Sequence, residues 1–229
     1  MAQLILLRHG QSLWNQENKF TGWRDVGLSP KGEQEARDAG KMLAKAGIRP
    51  EYCFTSYLKR AIKTLWLVLE EMDLAWLPVK KTWRLNERHY GALQGMDKDL
   101  AVDKYGQKQV MQWRRGYRTL PPALEKDDLE NPALDSRYVE LAEPILAESL
   151  ELTVQRVLPC WQQQLAPILS SGKDLLVCAH GNSLRGLVMH LRRIPEEEIP
   201  EFELPTGLPM VLRLDSDLKL LESYFLQEG

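Results

Sequence analysis

The chain has 229 residues, 44% of them hydrophobic and 27% charged, which is enough for a sizeable core at a length where α/β folds run as one domain. Its formal net charge of −2 at pH 7 gives no general attraction for nucleic acid or an acidic membrane, and no apolar run approaches the length that spans a bilayer. Cys53, Cys160 and Cys178 lack metal-ligand spacing and sit in or beside apolar stretches, so they read as buried reduced thiols. With no charged leader at the N-terminus, the expectation is a cytoplasmic protein.

Residues 3–7 form an apolar run broken at Arg8 and read as a buried strand; residues 14–28 are turn-rich. Ser29-Pro30 is an N-cap followed by proline at the first helical position, and a helix is expected from there toward Ala46. Residues 52–55 suit a second short strand. A helix over 58–72 follows, with Ala61, Leu65 and Leu69 at helical spacing and Arg60 in its first turn. Residues 118–148 are rich in proline and acidic residues without sustained periodicity, and their place directly after Arg114-Arg115 predicts a lid. A long helix over 150–169, a central strand over 175–179 and a helix over 183–191 complete the reading. This alternation predicts one three-layer α/β domain over 1–229, with a mixed, mainly parallel sheet and helices on both faces.

Two strand-to-loop junctions echo each other: Arg8-His9-Gly10-Gln11-Ser12 and Ala179-His180-Gly181-Asn182-Ser183. Strand ends of this kind are where α/β proteins place their chemistry, and two of the chain's four histidines sit there. A neutral imidazole can attack phosphorus through one nitrogen while the other is fixed by a hydrogen bond. The adjoining glycines would let backbone amides approach an anion. Arg8 and Arg60 offer guanidinium forks to phosphoryl oxygens. Residues 83–91 crowd Arg84, Glu87, Arg88, His89 and Tyr90 together; Glu87 is either a proton carrier or a salt-bridge partner of Arg84 or Arg88. Lys98 with Trp113-Arg114-Arg115 forms a further cationic group suited to a polyanion. There is no P-loop, no G-x-S-x-G elbow and no His-Glu-x-x-His, so metal-free transfer through phosphohistidine uses the residues present most simply.

Residues 7–15, Phe20-Thr21-Gly22-Trp23, residues 83–91, Trp113-Arg114-Arg115, residues 179–183 and Pro205-Thr206-Gly207-Leu208-Pro209 closely resemble the cofactor-dependent phosphoglycerate mutases of the histidine phosphatase superfamily. The resemblance implies an isomerase of glycolysis and gluconeogenesis that interconverts 3-phosphoglycerate and 2-phosphoglycerate, primed by 2,3-bisphosphoglycerate, without metal, as a homodimer or homotetramer. It implies that His9 accepts the phosphoryl group, that Arg8, Arg60 and His180 hold its oxygens, and that Glu87 moves the proton. Asn15, Thr21, Gly22, Tyr90, Lys98, Arg114, Arg115, Gly181 and Asn182 would line the substrate pocket.

The chain departs from the family's pattern at Gln11, where glutamate is usual, and at Gly27, where aspartate or a similar residue is common. It also ends at Gly229 without the long tail of many relatives, which implies a less enclosed site. A phosphatase that gives the same phosphohistidine to water is the alternative within this chemistry. A non-catalytic module that kept only the fold would have lost Arg8, His9 or His180, and all are present.

Overall fold

Strand β1 (Ala2–Arg8) is apolar from Leu4 to Leu7 because both of its faces are covered. Leu4 and Leu6 belong to one hydrophobic cluster and Ile5 and Leu7 to another, as the twofold alternation of a strand requires. The computed structural model describes residues 1–227, in which a short helix α1 (Leu13–Gln16) follows β1. Helix α2 (Pro30–Lys45) starts where expected, the Ser29 hydroxyl accepting from Gly32 N–H at 3.1 Å. Strand β2 (Tyr52–Thr55) leads into α3 (Lys59–Glu71), whose first amide is capped by Asp25 Oδ1 from another part of the chain. Then come β3 (Val79–Lys81), α4 (Lys98–Tyr105), α5 (Gln107–Arg115) and α6 (Leu150–Cys160). Last are α7 (Ala166–Ser170), β4 (Leu175–Ala179), α8 (Gly181–Arg192), β5 (Met210–Leu214) and β6 (Leu220–Phe225).

The six strands form one sheet in the order β3-β2-β4-β1-β5-β6. The first four are parallel, β5 runs antiparallel to β1, and β6 runs antiparallel to β5, so the sheet is mixed and mainly parallel, as predicted. Helices α2 and α3 pack together over the face that carries Ile5 and Leu7, and α6 and α8 over the face that carries Leu4 and Leu6. Cys53, Cys160 and Cys178 are free and buried within these layers. Among the described residues no helix is long and apolar enough to cross a membrane. The chain end at Gly229 lies outside the described residues.

One expectation is corrected. The predicted helix over 150–169 is interrupted after α6 by a π-turn, Trp161–Leu165, before α7 resumes. Pro167 has no N–H and its ring would strike the carbonyl four residues back; widening the turn, with Ala166 N–H donating to Trp161 O, relieves that clash. The segment 118–148 is irregular as expected, with two 3₁₀ turns, but supplies no residue to the lining of the central cleft. It packs against residues 83–92 and forms ion pairs with Arg24 and Asp25. Tyr138 sits between Trp23 and Tyr57, with ring centroids at 4.7 and 6.1 Å, and its hydroxyl accepts from Asn86 Nδ2 at 3.0 Å.

Candidate active site

Parallel pairing of β1 with β4 puts Arg8 opposite Ala179, and His9 N–H donates to Ala179 O at 3.0 Å. The two histidines that follow these strands therefore meet, with ring centroids 4.8 Å apart in an edge-on arrangement. His9 Nδ1 lies 2.7 Å from Gly10 O and must donate to it, which leaves Nε2 as the lone-pair nitrogen, facing Arg60 Nε at 3.2 Å. Burial above all, then Arg60 and Arg8, push the His9 pKa well below 6.5 and keep the imidazole neutral. Ser56 Oγ accepts from Leu58 N–H and lies 2.8 Å from His180 Nε2, a contact that either tautomer of the imidazole satisfies. His180 Nδ1 is buried with no partner among the described residues, and burial followed by Arg60 and His9 lowers the His180 pKa strongly as well.

Arg60 is fully buried in the first turn of α3, its Nη1 and Nη2 held by the carbonyls of Arg24 and Gly22 at 2.9 and 2.8 Å. Burial lowers its pKa to about 10, which still leaves it charged at neutral pH. Gly22 adopts φ +55°, a left-handed turn that presents its carbonyl to Arg60. Gly10 does something other than expected. Its N–H is bound to Thr64 Oγ1 at 3.1 Å and is not free for an anion; a Cβ there would lie 2.0 Å from Gly32 O, so the glycine serves close packing of the loop on α2. Gln11 also stays out of the cleft, its Oε1 accepting from Ser29 Oγ at 2.8 Å. A Cβ at Gly27 would meet nothing within 4 Å, so a larger residue would fit there.

Glu87 is buried and lines the cleft. Its Oε1 accepts from Arg88 N–H and from Asn182 N–H, at 2.8 and 3.0 Å, the second of these lying in the first turn of α8. Neither alternative salt bridge forms among the described residues: Arg84 stacks on Trp83, and Arg88 donates to Tyr90 Oη and to the carbonyls of Arg114 and Gly116. The backbone beneath Glu87 is held by a buried ion pair that the sequence reading did not find. Arg156 donates to Glu148 at 2.6 Å and to the carbonyls of Arg84, Asn86 and Glu87, while Glu148 accepts from His89 N–H. His89 is structural; it packs on Trp23, accepts from Gly91 N–H, and is pushed down to about 3 by burial and then Arg156.

One cleft is lined by Arg8, His9, Arg60 and Glu87 together with Asn15, Thr21, Gly22, Tyr90, Lys98, Arg114, Arg115, Gly181 and Asn182. Of the predicted site residues, His180 alone is not part of that lining, being wholly buried behind His9. Arg114 and Arg115 project from the last turn of α5, whose terminal carbonyls are held by the buried Arg88 and Arg185. Arg185, Lys19 and Glu203 also line the cleft and were missed. Arg185 follows the second echo by two positions, and only packing of α8 against α5 and residues 199–201 makes it part of the wall. Arg8 Nε, Thr21 Oγ1 and Arg185 Nε are buried without partners among the described residues, as suits a ligand bearing several anionic oxygens. Among the described residues no three His, Cys, Asp or Glu side chains gather as metal ligands.

Lys98 makes the second cationic group sensitive to pH. Burial first, then Arg114 and Arg8, lower its pKa to about 8. An anionic ligand favours the charged form, so ligand binding takes up a proton when the pH is above that value. The affinity for a polyanion is therefore expected to be full below pH 8 and to fall as the pH rises through it, while Lys98→Arg should flatten the fall. Calorimetric titration from pH 6.5 to 9.5 checks this; an equal fall in both proteins would clear Lys98 of the effect.

Residues 4–226 match the family model of the histidine phosphatase superfamily (branch 1), and the chain belongs to that family. Solved structures agree in fold. A mycobacterial glucosyl-3-phosphoglycerate phosphatase complexed with VO3 is similar at 22% identity and TM-score 0.72, covering 97% of this chain and 96% of that one. Bacillus stearothermophilus YhfR is similar at 23% identity and TM-score 0.71, covering 96% and 94%. An Escherichia coli protein described as a putative alpha-ribazole-5'-P phosphatase is similar at 20% identity and TM-score 0.68, covering 98% and 94%.

Proposed function

We propose that this chain interconverts 3-phosphoglycerate and 2-phosphoglycerate through a phosphohistidine, primed by 2,3-bisphosphoglycerate and without metal. The observation that carries the reading is a second cationic group, Lys98, Arg114 and Arg115, in the same cleft as His9 and Glu87. Removing one phosphoryl group needs only the first set of donors. Retaining a bisphosphate while it turns requires a second set for its carboxylate and remote phosphate.

In this reading His9 Nε2 gives its lone pair to phosphorus as the P–O bond to the glycerate breaks. Arg8, Arg60 and His180 take the equatorial oxygens. Glu87 has Oε1 occupied by two backbone amides, so Oε2 is the atom that protonates the leaving oxygen and, on the return transfer, takes the proton of the attacking hydroxyl. Lys98, Arg114 and Arg115 hold the remote end of the molecule throughout.

The test is a coupled assay of 2-phosphoglycerate formation from 3-phosphoglycerate, with and without added bisphosphate, before and after extensive chelation. Turnover is expected to require priming and to survive chelation. Loss on chelation restored by manganese would point to a different, metal-dependent route. A phosphomonoester phosphatase is the second reading, supported by the phosphatases among the similar structures; phosphate release without 2-phosphoglycerate would favour it. A cytoplasmic location and assembly into a homodimer or homotetramer belong to the same proposal, the assembly being readable by sedimentation equilibrium.

A further inference from the structure

The cleft that gathers so many cations also contains a carboxylate that the proposed chemistry does not use. Glu203 lines it and forms an ion pair with Arg115. Both partners are set on fixed frames. On one wall, Leu204 O accepts from Arg8 Nη1 at 2.9 Å and Gly207 N–H donates to Arg8 O at 3.0 Å, so the stretch that carries Glu203 is fastened to the arginine beside His9. On the other wall, Arg185 Nη2 donates to the carbonyls of both Arg115 and Ile199, tying the end of α5 to that same stretch. The Glu203 side chain is 64% exposed and that of Arg115 30%, and a pair so open to water adds little to stability. Its effect falls on what enters the cleft. The Arg115 charge is already met, and an incoming anion must displace the Glu203 carboxylate and then remain beside it.

We propose that Glu203 is a specificity-determining residue that competes with the remote anionic group of a ligand for Arg115, weakening the hold on bisphosphates relative to ligands with a single phosphate. This rests on the reading above that Arg115 takes that remote group. Its consequence is an enzyme that releases its bisphosphate more readily than the number of cations in its cleft would suggest.

The experiment is calorimetric titration of the His9→Ala protein, in which no phosphoryl transfer intervenes, with 2,3-bisphosphoglycerate and with inorganic phosphate. Adding Glu203→Gln should tighten bisphosphate binding by about two- to fivefold, the span available to a screened pair near the surface, with the gain shrinking as salt is added. Inorganic phosphate, met by Arg8, Arg60 and His180, should change by less. In an Arg115→Ala background the gain should vanish. Unchanged or weaker bisphosphate binding in Glu203→Gln, an equal gain for both probes, or a gain that persists without Arg115 would overturn the inference. If Arg115→Ala itself leaves bisphosphate binding unchanged, the functional reading of that arginine falls too. If Arg115→Ala weakens binding and Glu203→Gln does not strengthen it, only the competition falls.

Discussion

Replacing His9 by alanine is expected to abolish phosphoryl transfer, lowering turnover by on the order of a thousandfold or more, the scale at which loss of a covalent nucleophile is felt. The reason is geometric. Gly10 O fixes the Nδ1 proton, so Nε2 alone offers a lone pair, at the spot toward which Arg60 Nε–H points. Arg60 keeps its two carbonyl anchors in the variant, and the main-chain bond from residue 9 to Ala179 O does not depend on the imidazole, so the fold should survive. Incubation of the unaltered protein with 2,3-bisphosphoglycerate should add one acid-labile phosphate, located on His9 by mass spectrometry and missing from the variant. Phosphate found on His180 or on a serine would overturn the assignment. Because burial and the two arginines hold the His9 pKa well below 6.5, the imidazole is unprotonated at neutral pH, and its titration should not slow phosphorylation there.

Glu87→Gln should lower turnover by about a hundredfold or more, as expected for a lost acid-base group, while bisphosphate affinity changes much less. The substitution keeps the shape of the side chain, and a glutamine oxygen can accept from Arg88 N–H and Asn182 N–H as Oε1 does now. What disappears is the ability of the second oxygen to carry a proton. Steady-state turnover measured beside calorimetric binding separates the two effects. Turnover near that of the unaltered protein would reduce Glu87 to a structural acceptor for two amides and remove the proton path from the mechanism. His9→Ala and Glu87→Gln also differ in a way that can be read directly, since only the latter should still become phosphorylated, slowly, by a small phosphate donor with a good leaving group.

Much of the site was legible because it lies at strand ends. The apolar runs of β1 and β4 each stop at a histidine followed by glycine, and parallel pairing of adjacent strands brings those ends together without further information. The cap at Ser29 and the apolar spacing of α3 were equally local signals, and they placed Arg60 correctly in a first turn. Local signals failed at Pro167, where a helical pattern that continues through two prolines conceals a π-turn. Helices α4 and α5 and strands β3, β5 and β6 went unassigned; α4 has no clear apolar stripe, and the β3 and β6 strands at the sheet's edges are short or half exposed, with little alternation to read.

By itself the sequence determined the layered α/β architecture, the two histidines and the arginine beside the first, because buried strands and capped helices announce themselves within a few residues. Only the tertiary structure decided which way the proton on His9 points and that Glu87 is bound by amides and not by Arg84 or Arg88. It also brought Arg156 and Glu148 beneath Glu87, Arg185 into the wall, and Glu203 to Arg115. Each of these is a contact between residues far apart in the chain or a choice among several nearby partners. Such choices are made by how the layers pack and which polar groups are left to satisfy one another once water is excluded, and no pattern of spacing along the chain records that.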